Sequence, residues 1–182
     1  MKQNKASKQV ALGGIISALS LLFMFLTGIF PFADYALPAI SGIMLIALVI
    51  EINKKTAYVA YIAVGILSLL IAPIKESAIL FVFFFGYYPI LKSSIEQIKS
   101  RVVEWIVKIG MFNVAMVTAY FTMMYVLGMS GILADLNNDF QYGVIAFWAL
   151  GNVAFVVYDM ALSRLIVMYC EKIRPKLKTI LK

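Results

Sequence analysis

The sequence predicts an all-α polytopic membrane protein, a six-transmembrane-helix bundle with an interfacial amphipathic segment between spans four and five. Three observations carry that prediction. Hydrophobic residues make up 63% of the 182 and charged residues 14%, with a mean hydropathy of +0.95, whereas soluble domains carry about a quarter charged residues. Apolar runs long enough to approach the hydrocarbon thickness of a bilayer recur between short polar turns. The basic residues behind the net charge of +7 punctuate those runs instead of gathering into one patch, so the charge reports topology and not nucleic-acid binding. A single integral membrane domain over 1–182 follows, since no linker, repeat or low-complexity stretch divides the chain.

Residues 1–9, with Lys2, Lys5 and Lys8, are polar enough to stay in water, and 10–32 form the first span. The basic start followed by an apolar run has the outline of a signal peptide, but the run is long and further spans follow, so it reads as a membrane helix. Its first half is rich in small residues. Gly14 and Ala18 make a small-xxx-small pair that lets another helix approach closely, either inside the bundle or from a partner. Pro31, Asp34, Tyr35 and Pro38 mark a turn into a short second span at 36–50, which ends at Glu51, Asn53, Lys54 and Lys55. The third span is 56–72. Pro73, Lys75 and Glu76 turn the chain into the fourth, 77–91, which holds Phe81, Phe83, Phe84, Phe85, Tyr87 and Tyr88 and no charge.

Beyond it the period changes. Ile95, Ile98, Val102 and Ile106 recur at steps of three or four with Glu96, Lys99, Arg101, Glu104 and Lys108 on other faces, the pattern of a helix lying along an interface where headgroups or another protein are met. The fifth span, 105–127, contains Asn113, Thr118 and Thr122, expected as a polar stripe facing other helices. A polar loop at 129–141 leads to the last span, 142–169, and a basic tail. With both termini in the cytoplasm of a plasma-membrane protein, fifteen of the sixteen Lys and Arg lie inside and only Lys75 outside, a bias that supports an even number of spans.

Few residues offer chemistry. Asp159 is an intramembrane charge and hence a functional candidate, with a structural pairing to Arg164 or Asn113 as the plainer reading. With one cysteine, Cys170, and no histidine, an internal disulfide and a Cys/His metal site are excluded. Gly128-Met129-Ser130-Gly131 has the look of the rhomboid-protease nucleophile motif, but the serine lacks a histidine base, so a glycine-rich helix end is expected there. No phosphate-binding loop, dinucleotide fingerprint or catalytic carboxylate pair is present. The chain is expected not to be an enzyme and to need no cofactor. On the outer side, Tyr35, Lys75, Glu76, Asn137, Asn138, Asp139 and Gln141 either converge on a small ligand or remain solvated loop residues.

The length, six spans, inward termini and the segment KQVALGGIISALSLL, with its spaced small residues, resemble the substrate-binding S components of energy-coupling factor (ECF) transporters. The resemblance covers the whole chain as architecture. It implies that a vitamin-like small molecule binds near the outer side and that Ala11, Gly14 and Ala18 dock onto a transmembrane T component. It also implies that separate cytoplasmic ATPases drive a toppling motion in the membrane lipid. Ile15 stands where a second small residue would follow Ala11 in the family pattern. Two other readings remain: a scaffolding multi-span protein that contacts partners through 93–108 and the tail, and a small secondary transporter with Asp159 on the ion path.

Overall fold

The computed structural model of the chain describes residues 2–30, 33–128 and 143–175. All regular elements among them are helical. Residues 1–130 and 131–182 form two compact units. The first contains α1 (Lys2–Leu26), α2 (Ala36–Glu51), α3 (Lys54–Ile71), α4 (Lys75–Leu80), a π-helical turn at Phe81–Phe85, α5 (Tyr88–Ile95) and α6 (Arg101–Val126). The second contains α7 (Gly143–Met168), continued by a π-helical turn at Tyr169–Ile173.

Among the described residues, five helices are long and apolar enough to cross a membrane: Ser7–Leu26, Lys54–Ile71, Lys75–Ile95, Arg101–Val126 and Gly143–Lys172. The 16-residue α2 is apolar but shorter. The fourth run is longer than its uncharged core suggests, since Lys75–Ile95 spans 21 residues against the expected 77–91. It is also the centre of the first unit: 61% of its apolar window is buried, while no other window exceeds 28%. Helices α2, α3 and α6 pack around it, and α1 lies against α2 and α3.

Helix boundaries follow local chemistry. Asn53 caps α3, its side-chain oxygen accepting from the Thr56 backbone N–H at 2.8 Å, which satisfies one of the orphan donors of a first turn. Helix α3 stops at Ile71, two residues before Pro73, and the Lys75 ammonium closes its end by donating to the carbonyls of Leu69 and Leu70 at 2.9 and 3.3 Å. Past Val126, Gly128 adopts a left-handed φ of +67°, the conformation that glycine accepts at a helix end without a Cβ penalty. That fits the helix-end reading of the first glycine of the GMSG tetrapeptide; Met129, Ser130 and Gly131 lie outside the described residues.

Pro89 disturbs the centre of the buried span, because it has no N–H to give to the Phe85 carbonyl four residues earlier. The helix widens just upstream: Gly86 N–H bonds back to Phe81 at 2.8 Å, an i to i−5 step, and side chains of α2 and α3 meet the altered backbone. The Tyr61 hydroxyl donates to the Val82 carbonyl at 2.6 Å. Gly42 lies so close to the Phe85 carbonyl that a Cβ there would overlap the oxygen. Around this turn the aromatic rings interlock. Phe84 stacks on Tyr88 at 4.9 Å and meets Phe85 and Phe112 edge-on at 5.3 Å each, geometry worth about 0.5–1.5 kcal/mol per pair beyond burial.

Helices α1 and α2 are joined by a reciprocal pair of buried hydrogen bonds: the Ser20 hydroxyl donates to the Ser41 carbonyl at 3.1 Å and the Ser41 hydroxyl to the Ser20 carbonyl at 3.0 Å. Such bonds are typical glue between membrane helices. The expected polar stripe on the fifth span also bonds within its own helix. Asn113, Thr118 and Thr122 each donate to the carbonyl four residues back in α6, at 2.8 Å, and Thr118 is exposed. Back-bonding within the helix lets a hydroxyl or amide lie on an apolar outer face.

Gly42→Ala is expected to lower stability by about 1–3 kcal/mol, since backbone cannot yield to a new methyl. Gly110→Ala, on an open face of α6 where an added Cβ meets nothing within 4 Å, should be neutral or stabilising by up to about 1 kcal/mol. Thermal unfolding of the two purified variants in the same detergent checks the contrast.

Candidate functional site

Charged and polar side chains of the first unit gather at the two ends of the buried span. At one end α1 leads to Asp34 and Tyr35, and α3 leads to Lys75, Glu76 and Ser77. The Ser77 hydroxyl donates to the Asp34 backbone carbonyl at 2.9 Å, tying the start of α2 to the start of α4. The Tyr35 phenol is held above its ordinary value of 10.0 by partial desolvation first, then by the carboxylates of Glu76 and Asp34. Of the sequence-predicted ligand residues, then, Tyr35 and Glu76 are close enough to interact. Tyr35 is exposed, and Lys75 is engaged with the end of α3. Asn137, Asn138, Asp139 and Gln141 lie outside the described residues. Two cavities of about 340 and 510 Å³ are lined by other residues than these.

At the opposite end a chain of ion pairs connects α5 to α6. The Lys92 ammonium, fully buried, meets Glu96 Oε1 at 2.8 Å. The same oxygen lies 3.4 Å from Lys108 Nζ, which reaches Glu104 Oε1 at 2.8 Å. Lys108 is 2% exposed and Glu104 6%, and the Lys108 ammonium stands 5.3 Å from the centre of the Trp105 ring, within range of a cation–π contact. Lys92, Lys108 and Glu104 are thus charge-compensated where solvation is lost, with Glu96 reaching the surface between the two lysines, the condition under which buried charges are tolerated. Lys54 joins the same end by donating to Ser94 Oγ at 2.7 Å.

This arrangement differs from the expected surface at 93–108. The stretch is two helices: α5 ends at Ile95, and α6 starts at Arg101, four residues before the expected start of the fifth span. Val102 and Ile106, on the apolar side of that pattern, are 69% and 65% exposed, while Glu104 and Lys108, on its charged side, face inward. Opposite charges at i, i+4 in Lys92/Glu96 and Glu104/Lys108 are the sequence signal that identifies this network.

On α1 the structure turns Ile16, Ser20 and Met24 inward. Ala11, Gly14 and Ala18 are exposed on another face, and a Cβ added to Gly14 would meet nothing within 4 Å. The ridge of small residues therefore does not pack against the helices of its own unit. In the second unit, Asp159 is buried together with Phe155 and Leu162 on one face of α7, while Arg164 is exposed; Asn152 donates to the Trp148 carbonyl at 3.0 Å. Among the described residues no group of three or more His, Cys, Asp or Glu is placed to hold a metal ion.

The described residues thus form a helical protein with five membrane-length helices, many exposed apolar side chains and, in the first unit, an ion-paired cluster. No protein-family model, curated protein or solved structure matches the chain.

Removing one member of the buried pair strands the other. Lys108→Met is expected to cost about 3–5 kcal/mol, by removing the ammonium 2.8 Å from the buried Glu104 carboxylate, and the double variant Lys108→Met/Glu104→Gln to recover much of that loss. Equilibrium unfolding in mixed micelles measures the coupling; additive effects would mean that the pair contributes nothing jointly.

Proposed function

We propose that this protein is the substrate-binding subunit of a membrane transporter of the ECF S-component type, taking up a small vitamin-like molecule and energised by separate ATPase subunits. In this reading the plasma membrane is crossed six times. The short α2 supplies the sixth crossing, its roughly 24 Å of helix being matched by local thinning or by flanking residues. Both termini lie in the cytoplasm. The distribution of charge within the first unit supports that orientation: Lys54, Lys55, Lys92, Lys99 and Arg101 collect at one end of the buried span, Asp34 and Glu76 at the other, as the excess of basic residues on the cytoplasmic side requires.

The observation that carries the proposal is the outward-facing ridge of Ala11, Gly14 and Ala18. Small residues let helix backbones approach closely in a bilayer, and a ridge not used within its own unit is suited to a partner's transmembrane helix. The T component would dock there, and Tyr35 and Glu76 would contribute to the outer ligand site. The interfacial role of 93–108 passes in this reading to the turn at 96–100 and the first turn of α6, not to one helix lying flat. A scaffolding role is the second reading, favoured by the aromatic packing of Phe81, Phe84, Tyr88 and Phe112, which fills the middle of the first unit.

Gly14→Leu/Ala18→Leu is expected to abolish co-purification with the T component and ATPases from native membranes while leaving the helical circular dichroism unchanged. Native mass spectrometry of the unaltered protein should show a retained small molecule. An intact complex in the double variant would remove the docking role, and a ligand-free protein bound to wall-synthesis or division partners would favour the scaffold.

A further inference from the structure

We infer that the junction of α5 and α6 is a binding site for the phosphate of an anionic phospholipid, with Lys99 and Arg101 as the recognising cations. A cavity of about 340 Å³ opens at the start of α6, lined by Glu96, Ile98, Lys99, Arg101 and Glu104. Its two carboxylates are already committed. Glu96 lies 2.8 Å from the buried Lys92 ammonium and Glu104 2.8 Å from that of Lys108, so the acidic members of the lining are neutralised by lysines beneath them. Lys99 and Arg101 are exposed at the rim and, among the described residues, have no acidic partner. The surplus charge facing the cavity is therefore positive.

Backbone geometry adds to it. Ser100 precedes the 26-residue α6 without a side-chain capping bond, leaving first-turn N–H groups to an outside acceptor at the positive end of the helix dipole. Arg101 supplies a planar guanidinium suited to two phosphate oxygens at once, and Lys99 a compact point charge.

The surroundings select a lipid as the source of the phosphate. Directly along α6 from Arg101, Val102, Val103 and Ile106 are exposed on a helix long enough to cross a membrane, and Trp105 lies in the same turn, a residue type that favours the headgroup level. A ligand held here by its phosphate has an apolar track for its acyl chains, which a free phosphate would leave unused. The site does not depend on the transporter reading, because it needs only that α6 meet the bilayer.

The test is native mass spectrometry of the full-length protein in mild detergent, titrated separately with dioleoyl phosphatidylglycerol and dioleoyl phosphatidylcholine. Two basic contacts should favour phosphatidylglycerol by about thirtyfold. In Lys99→Gln/Arg101→Gln the preference should fall to within about twofold; both side chains are exposed, so circular dichroism should be unchanged. Lys8→Gln/Lys55→Gln removes two other exposed lysines and should keep the preference. Equal loss in that control would show general charge attraction and overturn the site, as would an unchanged preference in Lys99→Gln/Arg101→Gln. Millimolar inorganic phosphate should not displace the lipid; displacement at that level would overturn the lipid as the source.

Discussion

A proline in the middle of a buried helix governs the centre of the first unit. Pro89 withdraws the donor from Phe85, and the chain responds by widening into the π-helical turn at Phe81–Phe85. The neighbouring helices are shaped to the altered backbone. Tyr61 of α3 brings a hydroxyl to Val82, and α2 brings Gly42, the residue with no side chain to hold the backbones apart. The positions of α2 and α3 against the buried span follow from meeting that backbone, and α1 follows from α2 through Ser20 and Ser41.

The distribution of polarity has the same logic on a larger scale. Leu70, Val102, Val126 and Leu150 are among the most exposed side chains, while Lys92, Glu104, Lys108 and Asp159 are among the buried ones. Water would penalise such an inversion, whereas a hydrocarbon surrounding favours it, because charges there are stabilised only by one another. The chain Lys92, Glu96, Lys108 and Glu104 meets that demand with alternating signs, and it joins two helices whose connecting turn is only five residues long.

Much of this was legible in the sequence. Apolar runs gave the membrane class and the positions of the helices, because burial of backbone polar groups in lipid forces long helical runs whatever the side chains do. The ends were less legible where charge misled. Arg101 and Glu104 read as too polar for a span, yet α6 includes both, because Glu104 is paired with Lys108 inside the first unit. The same misreading produced a single amphipathic helix at 93–108, whose alternation of apolar and charged residues is equally that of a lipid-facing helix with a polar interior. Which way a face points depends on what surrounds it, and periodicity alone does not contain that information. The π-helical turn left a trace in Gly86 and Pro89, but its consequences lie in Gly42 and Tyr61, distant in sequence. Of the seven ligand candidates, the electrostatic influence of Glu76 on Tyr35 depends on two turns meeting in space, a relation set by the bond from Ser77 to Asp34.

The paired serines of α1 and α2 constrain motion as well as position. Each hydroxyl bonds the carbonyl of the other residue, so sliding one helix lengthwise by even a single residue breaks both bonds together and leaves two buried hydroxyls without their partners. Piston-like displacement is thereby resisted, while tilting the pair as one body leaves the bonds intact. The pair is in turn seated on the buried span where Gly42 meets the backbone at Phe85.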